Sequence, residues 1–187
     1  MRLLSASFFD HQVDRVARDL IGAVLMFDGV GGIIVEVESY DEHDPASHCY
    51  GRRVSERNRA MFGPPAHAYV YRSYGIHWCL NLVCRPASAV LIRALEPKFG
   101  IAKMQERRGV EALKSLCAGP GRLCEALAIT GAANGHSLLA PPFALYARTR
   151  SVNVTTGVRI GITKAIDLPR RFGLAASPFL SRRFPEE

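Results

Sequence analysis

The chain is organised around the stretch Val35-Glu36-Val37-Glu38-Ser39-Tyr40. Apolar residues alternate with polar ones here, which is the period-two pattern of a β-strand that buries one face. The other face is predicted to show Glu36, Glu38 and Tyr40 outward, so that carboxylates and an aromatic ring lie together at the end of the strand. A solvated pair at a sheet edge would give the same pattern, and this stretch alone leaves both interpretations open.

Upstream of this strand the sequence predicts a helix and a hairpin. Apolar residues between Val13 and Ile21 recur at helical spacing, with Asp10 as the expected N-cap and Gly22 as the stop. The apolar run 23–27 then leads through Asp28-Gly29, a strong hairpin signal, into the strand that ends at Glu38 and Tyr40.

Downstream, a second hairpin is predicted on either side of Ser73-Tyr74-Gly75. Tyr74 is oddly placed at the tip of this turn, because an apolar ring exposed there gains nothing from folding. The ring either folds back onto its own hairpin or buries itself in a partner. The sequence pattern does not decide between these alternatives.

An arginine interrupts the next predicted strand, 89–95. Arg93 lies opposite the apolar face of that strand, and a buried guanidinium needs a partner, for which Glu38 is the obvious candidate. Helices are predicted over 100–108 and 122–129, further strands over 143–148 and 156–162, and a short helix capped by Ser55 that runs to Phe62.

Composition favours one globular domain, 1–187, that acts on a polyanion. A chain of 187 residues can bury a substantial core, and its net charge of +7 suits a nucleic-acid partner, although solubility alone would also explain that charge. Consecutive strands joined by hairpins predict a mixed α/β (α+β) fold with a mainly antiparallel sheet. The five cysteines lack zinc-type spacing and are expected to be reduced, so no metal is expected.

Several separate motifs, read in order, resemble the alkyladenine (3-methyladenine) DNA glycosylase family, whose members are also called methylpurine glycosylases. The motifs are the strand that ends at Tyr40, Ala46-Ser47-His48, Arg57-Asn58-Arg59-Ala60-Met61-Phe62-Gly63-Pro64, 69–81, 91–97, 116–124 and Arg159-Ile160-Gly161-Ile162. The resemblance covers nearly the whole chain, and it is to the minimal bacterial form.

The resemblance implies a single compact domain with a curved antiparallel sheet, flanking helices and a protruding hairpin. It also implies removal of alkylated or deaminated purines from duplex DNA in base excision repair: 3-methyladenine, 7-methylguanine and, as further candidates, hypoxanthine and ethenoadenine. Cleaving the glycosidic bond requires a carboxylate to activate water, and the family pattern favours Glu38, with Arg93 positioning the water. Glu36 is the rival and is expected to be structural.

The pocket and the DNA contacts follow from the same resemblance. Tyr40, His48 and Tyr71 are expected to stack around a flipped purine, and Asn81 to crowd the 2-amino group of normal guanine. Tyr74 would fill the gap in the duplex. Three arginines are candidates for phosphate contacts or for ordinary solvation: Arg57, Arg59 and Arg122.

We expect a monofunctional enzyme that uses water, since none of the four lysines falls within the pocket motifs. The expected protein is a cytoplasmic monomer with no cofactor and no membrane segment, associated with the nucleoid if it is bacterial. Two competing classes remain. One is a non-catalytic minor-groove module that recognises damaged DNA, and the other is an enzyme of free nucleosides or RNA. The second would leave the Tyr74 hairpin without a purpose.

Overall fold

The computed structural model describes residues 1–185. Its α-helices are α1 (Ala6–Phe9), α2 (Val13–Leu20), α3 (Ile101–Arg108), α4 (Leu113–Leu116) and α5 (Pro120–Leu127). Its strands are β1 (Val24–Phe27), β2 (Val30–Tyr40), β3 (Ala68–Ser73), β4 (His77–Val83), β5 (Ala89–Phe99), β6 (Phe143–Tyr146), β7 (Val154–Gly157) and β8 (Arg171–Leu174). Short 3₁₀ turns span Tyr50–Arg52, Arg59–Phe62 and Gly131–Ala133.

All the strands join one curled antiparallel sheet in the order β3-β4-β5-β2-β1-β6, and the β7–β8 pair attaches to β2. The predicted α+β fold is therefore confirmed. Strand β2 is the centre of this sheet. It pairs with β5 along one edge, and along the other edge with β1 first and then with β8.

The expectation that β2 shows its carboxylates to solvent is wrong. Both faces of the strand are covered, and Glu36 and Glu38 each have 0% of their surface exposed. The cover comes from segments far away in sequence: Ile160 lies on Glu38, and Ser181 lies on Glu36. Period-two alternation marks two different faces of a strand, but it does not say what packs on each of them.

Irregular pairing between β2 and β5 aims the charged side chains at one another. The register shifts on both sides of Glu36, so that Ile34 pairs with Leu95, Glu36 with Ala94, and Val37 with Ile92. Such bulges bend a strand and redirect its side chains. Arg93 lies within the irregular stretch and reaches both glutamates.

The helices pack on the sheet around one large apolar core. Helix α2 contacts β2 and β5, while α5 contacts β4 and β5. The apolar stripe of α2 is buried as predicted, but Asp10 does not cap this helix: Gln12 is the N-cap, and Asp10 instead ends α1. Ser55 likewise caps no helix, because the turn after it begins only at Arg59, and Ser55 instead bonds to Asn58.

A smaller apolar cluster supports the loop that carries His48. It contains Cys49, Met61, Tyr69, Val83, Ala87 and Ala89. The five cysteines are all free and buried, in agreement with the expected thiols.

The strand predicted over 156–162 is misplaced. Strand β7 ends at Gly157, and the residues after it form a loop that crosses the end of β2. Strand β8 pairs with both β2 and β7 and carries a buried arginine, Arg171; the sequence pattern predicts no strand there. The tail after Phe184 was expected to fray, and from Glu186 onward it lies outside the described residues. No helix in 1–185 is both long and apolar enough to cross a bilayer.

Candidate active site

The end of β2 and the middle of β5 bring Glu38, Tyr40 and Arg93 together. The Arg93 Nη1 atom lies 3.2 Å from Glu38 Oε1. The same carboxylate accepts hydrogen bonds from the Tyr40 hydroxyl at 2.8 Å and from the Ile160 N–H at 2.8 Å. The predicted contact between Glu38 and Arg93 is therefore confirmed, and the backbone donor from residue 160 is an additional partner.

Glu36 accepts four hydrogen bonds, and it shares only Arg93 with Glu38 among the described residues. It accepts from Arg93 Nε and Arg171 Nη1, both at 3.2 Å, from the Ser181 hydroxyl at 2.9 Å and from the Ser181 N–H at 2.5 Å. These bonds join the C-terminal segment to the sheet. The geometry gives Glu36 a structural position, and Arg93 is the residue that links the two glutamates.

A cavity of about 600 Å³ opens beside Glu38. Six of the side chains proposed from the sequence line it, namely Tyr40, His48, Arg57, Tyr71, Tyr74 and Asn81. The remaining wall comes largely from two loops, 45–47 and 161–164. Glu38 itself does not line the cavity; it lies one side chain away from it, bonded to Tyr40.

Aromatic rings form one wall of the cavity. Tyr69 and Tyr71 stack with ring centroids 5.4 Å apart, and His48 meets Tyr71 edge-on at 4.6 Å. Burial raises the pKa of Tyr69 to about 12, and it raises the pKa of Tyr71 above its ordinary value as well. Both hydroxyls therefore stay protonated at neutral pH and remain neutral hydrogen-bonding groups.

His48 is held by its neighbours in a neutral form. Its Nδ1 atom lies 2.8 Å from the Tyr69 hydroxyl. Burial, with the nearby Arg57 charge as a second cause, lowers the pKa of His48 below its ordinary 6.5. The imidazole is therefore neutral at pH 7, with one ring nitrogen as a donor and the other as an acceptor.

Asn81 faces the cavity from β4, where it pairs with Tyr69. It is 5% exposed, and its amide donates to the Tyr69 carbonyl at 3.1 Å. That bond fixes the orientation of the amide at the cavity wall.

Tyr74 does not fold back on its hairpin. The ring is 85% exposed at the tip between β3 and β4, and the residue has a φ of 51°, in the left-handed region that non-glycine residues rarely adopt. Tyr74 also lines the cavity rim. The structure therefore places an unburied aromatic ring at the mouth of the cavity.

The three candidate arginines are in three different settings. Arg57 lines the cavity, with its guanidinium carbon 5.3 Å from the centre of the Tyr71 ring. Arg59 is exposed and forms an ion pair with Glu56. Arg122 is exposed near the start of α5 and donates a long bond, 3.4 Å, to the Ala118 carbonyl. The structure thus brings Arg57 to the pocket and leaves the other two on the surface.

Sequence reasoning missed the loop that follows β7. Ile160 bonds to Glu38, and Lys164 lines the cavity although it lies outside the pocket motifs, so the motifs alone do not exclude an amine from the pocket. The signal was present in the motif Arg159-Ile160-Gly161-Ile162, but that motif was assigned to a strand. Within residues 1–185, no group of three or more histidine, cysteine, aspartate or glutamate side chains is arranged to hold a metal ion.

Comparison with known proteins identifies the family of this chain. The family model described as Methylpurine-DNA glycosylase (MPG) matches residues 7–178. A Rhodopseudomonas palustris protein named "Putative 3-methyladenine DNA glycosylase" is 59% identical over 186 residues, which cover 98% of this chain and 90% of the relative. A Nitrosospira multiformis protein of the same name is 58% identical over 183 residues, 96% of this chain and 94% of the relative. The chain therefore belongs to the methylpurine-DNA glycosylase family.

Proposed function

We propose that this protein is a monofunctional DNA glycosylase that flips damaged purines out of duplex DNA and hydrolyses their glycosidic bond with water. One observation carries the proposal: a buried carboxylate–guanidinium pair, Glu38 and Arg93, is joined through Tyr40 to an aromatic cavity whose mouth holds an exposed tyrosine, Tyr74. The substrates proposed are 3-methyladenine and 7-methylguanine, with hypoxanthine and ethenoadenine as further candidates.

The cavity and Tyr74 suit a flipped nucleotide. A volume of about 600 Å³ falls within the range of cavities that enclose a small molecule. A base inside a duplex cannot be reached in place, so it must leave the stack, and an apolar wedge can occupy the gap from the minor groove. Tyr74 is exposed and adjoins the cavity, so one hairpin can fill the gap while the pocket holds the base.

Glu38 is the proposed general base. It takes a proton from a water molecule as the water oxygen bonds to C1′ of the deoxyribose, while the bond to the purine breaks and its electron pair leaves with the base. Arg93 orients the water and balances the carboxylate charge. Because Glu38 is 0% exposed and bonded to Tyr40, we expect substrate binding to move the Tyr40 ring enough to admit this water.

Alkylation at N3 or N7 gives the purine a positive charge, which makes it a better leaving group and attracts it to electron-rich rings. Each such contact is worth roughly 0.5–2 kcal/mol. Tyr40, His48 and Tyr71 supply the rings, and neutral His48 adds no opposing charge. Neutral lesions lack this attraction and would need a hydrogen bond, for which His48 is available. Asn81 would exclude normal guanine by crowding its 2-amino group.

The test is base release from duplexes that each carry one lesion, with the products analysed before and after hot alkali. Strand breaks that appear only after alkali mean an abasic product and hence a water nucleophile. Lys164 makes a second check necessary: borohydride should trap no covalent complex between the protein and DNA, and a trapped complex that disappears in Lys164→Ala would contradict the monofunctional assignment.

Glu38→Gln separates catalysis from recognition. We expect it to abolish base release while damaged DNA still binds, and Glu111→Gln, on an exposed surface away from the cavity, to leave both unchanged. Tight binding by the wild-type protein without release from any lesion would identify a recognition module instead. If Glu38→Gln lost DNA binding and base release to the same extent, the assignment of Glu38 as the general base would be contradicted.

A further inference from the structure

A buried ion pair lies against the Tyr40 ring from inside the protein. The Arg159 guanidinium carbon is 4.6 Å from the ring centre, and Arg159 Nη2 donates to Asp44 Oδ1 at 3.0 Å while Nη1 contacts Asp44 Oδ2. Arg159 is 5% exposed and Asp44 is 1% exposed. The cavity lining includes Tyr40 but neither member of this pair.

Backbone bonds hold the pair rigidly in this position. Arg159 also donates to the Ser39 carbonyl at 3.1 Å and to the Ala165 carbonyl at 3.4 Å. Asp44 accepts from the Ala46 N–H at 2.9 Å. The position of the guanidinium relative to Tyr40 is therefore set by several fixed contacts, and the two loops that complete the cavity wall are tied together at the same point.

This arrangement has an electrostatic consequence for the cavity. A cation that contacts an aromatic ring polarises its π electrons and so weakens the attraction of the ring for a second cation. The first cation also repels the second one directly. Burial makes this repulsion larger than it would be in water. Without a carboxylate partner, Arg159 would therefore weaken the binding of a positively charged purine stacked on Tyr40. When a bidentate carboxylate balances its charge, Arg159 has no such effect.

We propose that Asp44 is a specificity-determining residue, which keeps the Tyr40 ring attractive to cationic purines by neutralising Arg159. This inference rests on the proposed function, since it assumes that a damaged purine stacks on Tyr40. The pair has no contact with the reacting atoms. It acts through Tyr40 and changes the preference between charged and neutral bases.

The experiment compares the affinities of two duplexes that differ in the charge of one base. One carries 7-methylguanine, which is cationic, and the other hypoxanthine, which is neutral; both have a 2′-fluoro sugar that resists hydrolysis. In Asp44→Asn the guanidinium keeps an oxygen acceptor but loses the balancing charge. We expect the ratio of affinities, cationic to neutral, to fall by roughly twofold to thirtyfold.

Arg159→Met provides an independent test in the opposite direction. It removes the cation and leaves Asp44, which still has Arg170 Nη1 at 3.6 Å as a partner. The same ratio should rise in this variant, because the Asp44 charge near the Tyr40 ring is then balanced less completely. Because each ratio comes from one protein preparation, loss of folded protein cancels out, and either variant alone decides the matter if the other does not fold.

Equal weakening of both duplexes in either variant would overturn the inference and leave the pair with a loop-tying role only. The proposed function is judged separately, by base release from the wild-type protein. If the wild type releases bases and Asp44→Asn leaves the ratio unchanged, only the inference fails. If the wild type releases none, the proposed function fails, and the inference fails with it.

Discussion

The Tyr40 hydroxyl donates a 2.8 Å hydrogen bond to the carboxylate of Glu38, two residues earlier in the same strand. Both side chains are on one face of β2, so the residue proposed to stack on the purine also holds the residue proposed to activate water. Burial, reinforced by the Glu38 carboxylate, raises the pKa of Tyr40 far above its ordinary value of 10.0. The hydroxyl therefore stays a donor throughout the physiological range.

Tyr40→Phe should separate these two tasks, because it keeps the ring and removes the donor. A hydrogen bond to a charged group is worth about 1.5–3 kcal/mol, so we expect a loss of unfolding free energy of that order and base release slower by about tenfold. Affinity for lesion-containing DNA should change much less. Urea denaturation and single-turnover release measure the two effects. Release at the wild-type rate would show that Glu38 needs no help from Tyr40.

Glu36→Gln should affect stability more than any change at an exposed glutamate. Among the described residues, removing its charge leaves the buried Arg171 without a carboxylate partner and Arg93 with Glu38 alone, and breaking such pairs costs about 3–5 kcal/mol. Glu56→Gln is the matched control, since its ion pair with Arg59 is exposed and should contribute less than about 1 kcal/mol. Chemical denaturation compares them. Similar small losses in both variants would contradict the structural position of Glu36.

Tyr74→Ala should leave stability unchanged and weaken DNA binding. The ring is 85% exposed, so its removal should change the unfolding free energy by less than about 0.5 kcal/mol. If it fills the gap in the duplex, affinity for lesion-containing DNA should fall about tenfold or more. Tyr50→Ala, at a tyrosine that is 51% exposed and does not line the cavity, is the control. If Tyr74→Ala and Tyr50→Ala bound lesion-containing DNA with equal affinity, the Tyr74 ring would not be part of the DNA interface.

His48 should make the protein sensitive to acid. Its folded-state pKa lies below the ordinary 6.5, so the unfolded chain takes up a proton first as the pH falls. The stability associated with neutral His48 is therefore fully present above about pH 6.5 and is lost as the pH falls through the folded-state pKa. The loss should be under about 1 kcal/mol, because the imidazole is partly exposed. His48→Gln should unfold with a shallower pH dependence between pH 7 and pH 5, and an identical dependence would contradict this.

Arg122 and Arg59 should differ in their contribution to the salt dependence of DNA binding. Each phosphate contact contributes about one unit to the slope of log affinity against log salt. Within residues 1–185 Arg122 has no ion-pair partner and should lower the slope by about one when replaced by alanine, whereas Arg59 is engaged by Glu56 and should lower it less. Affinity measured over a salt series gives both slopes. If Arg122→Ala had the wild-type slope of log affinity against log salt, Arg122 would not contact a DNA phosphate.

Local sequence determined much of this fold. Alternation and turn chemistry located β2, the hairpin with Tyr74 at its tip and the strand that carries Arg93, because strand period and tight turns depend on neighbouring residues. The rule that a buried arginine needs a carboxylate identified the Glu38–Arg93 contact. The family resemblance supplied the pocket side chains that the cavity then brought together.

Tertiary structure alone decided what covers β2 and closes the site. Ile160 reaches Glu38, Ser181 reaches Glu36, and Arg159 lies against Tyr40, although these partners are more than a hundred residues apart in the chain. The loop after β7 has no periodic pattern, and strand β8 is short, so neither gives a local signal. Their positions follow from satisfying buried charges and backbone donors at the end of β2, and that requirement appears only when the whole chain is folded.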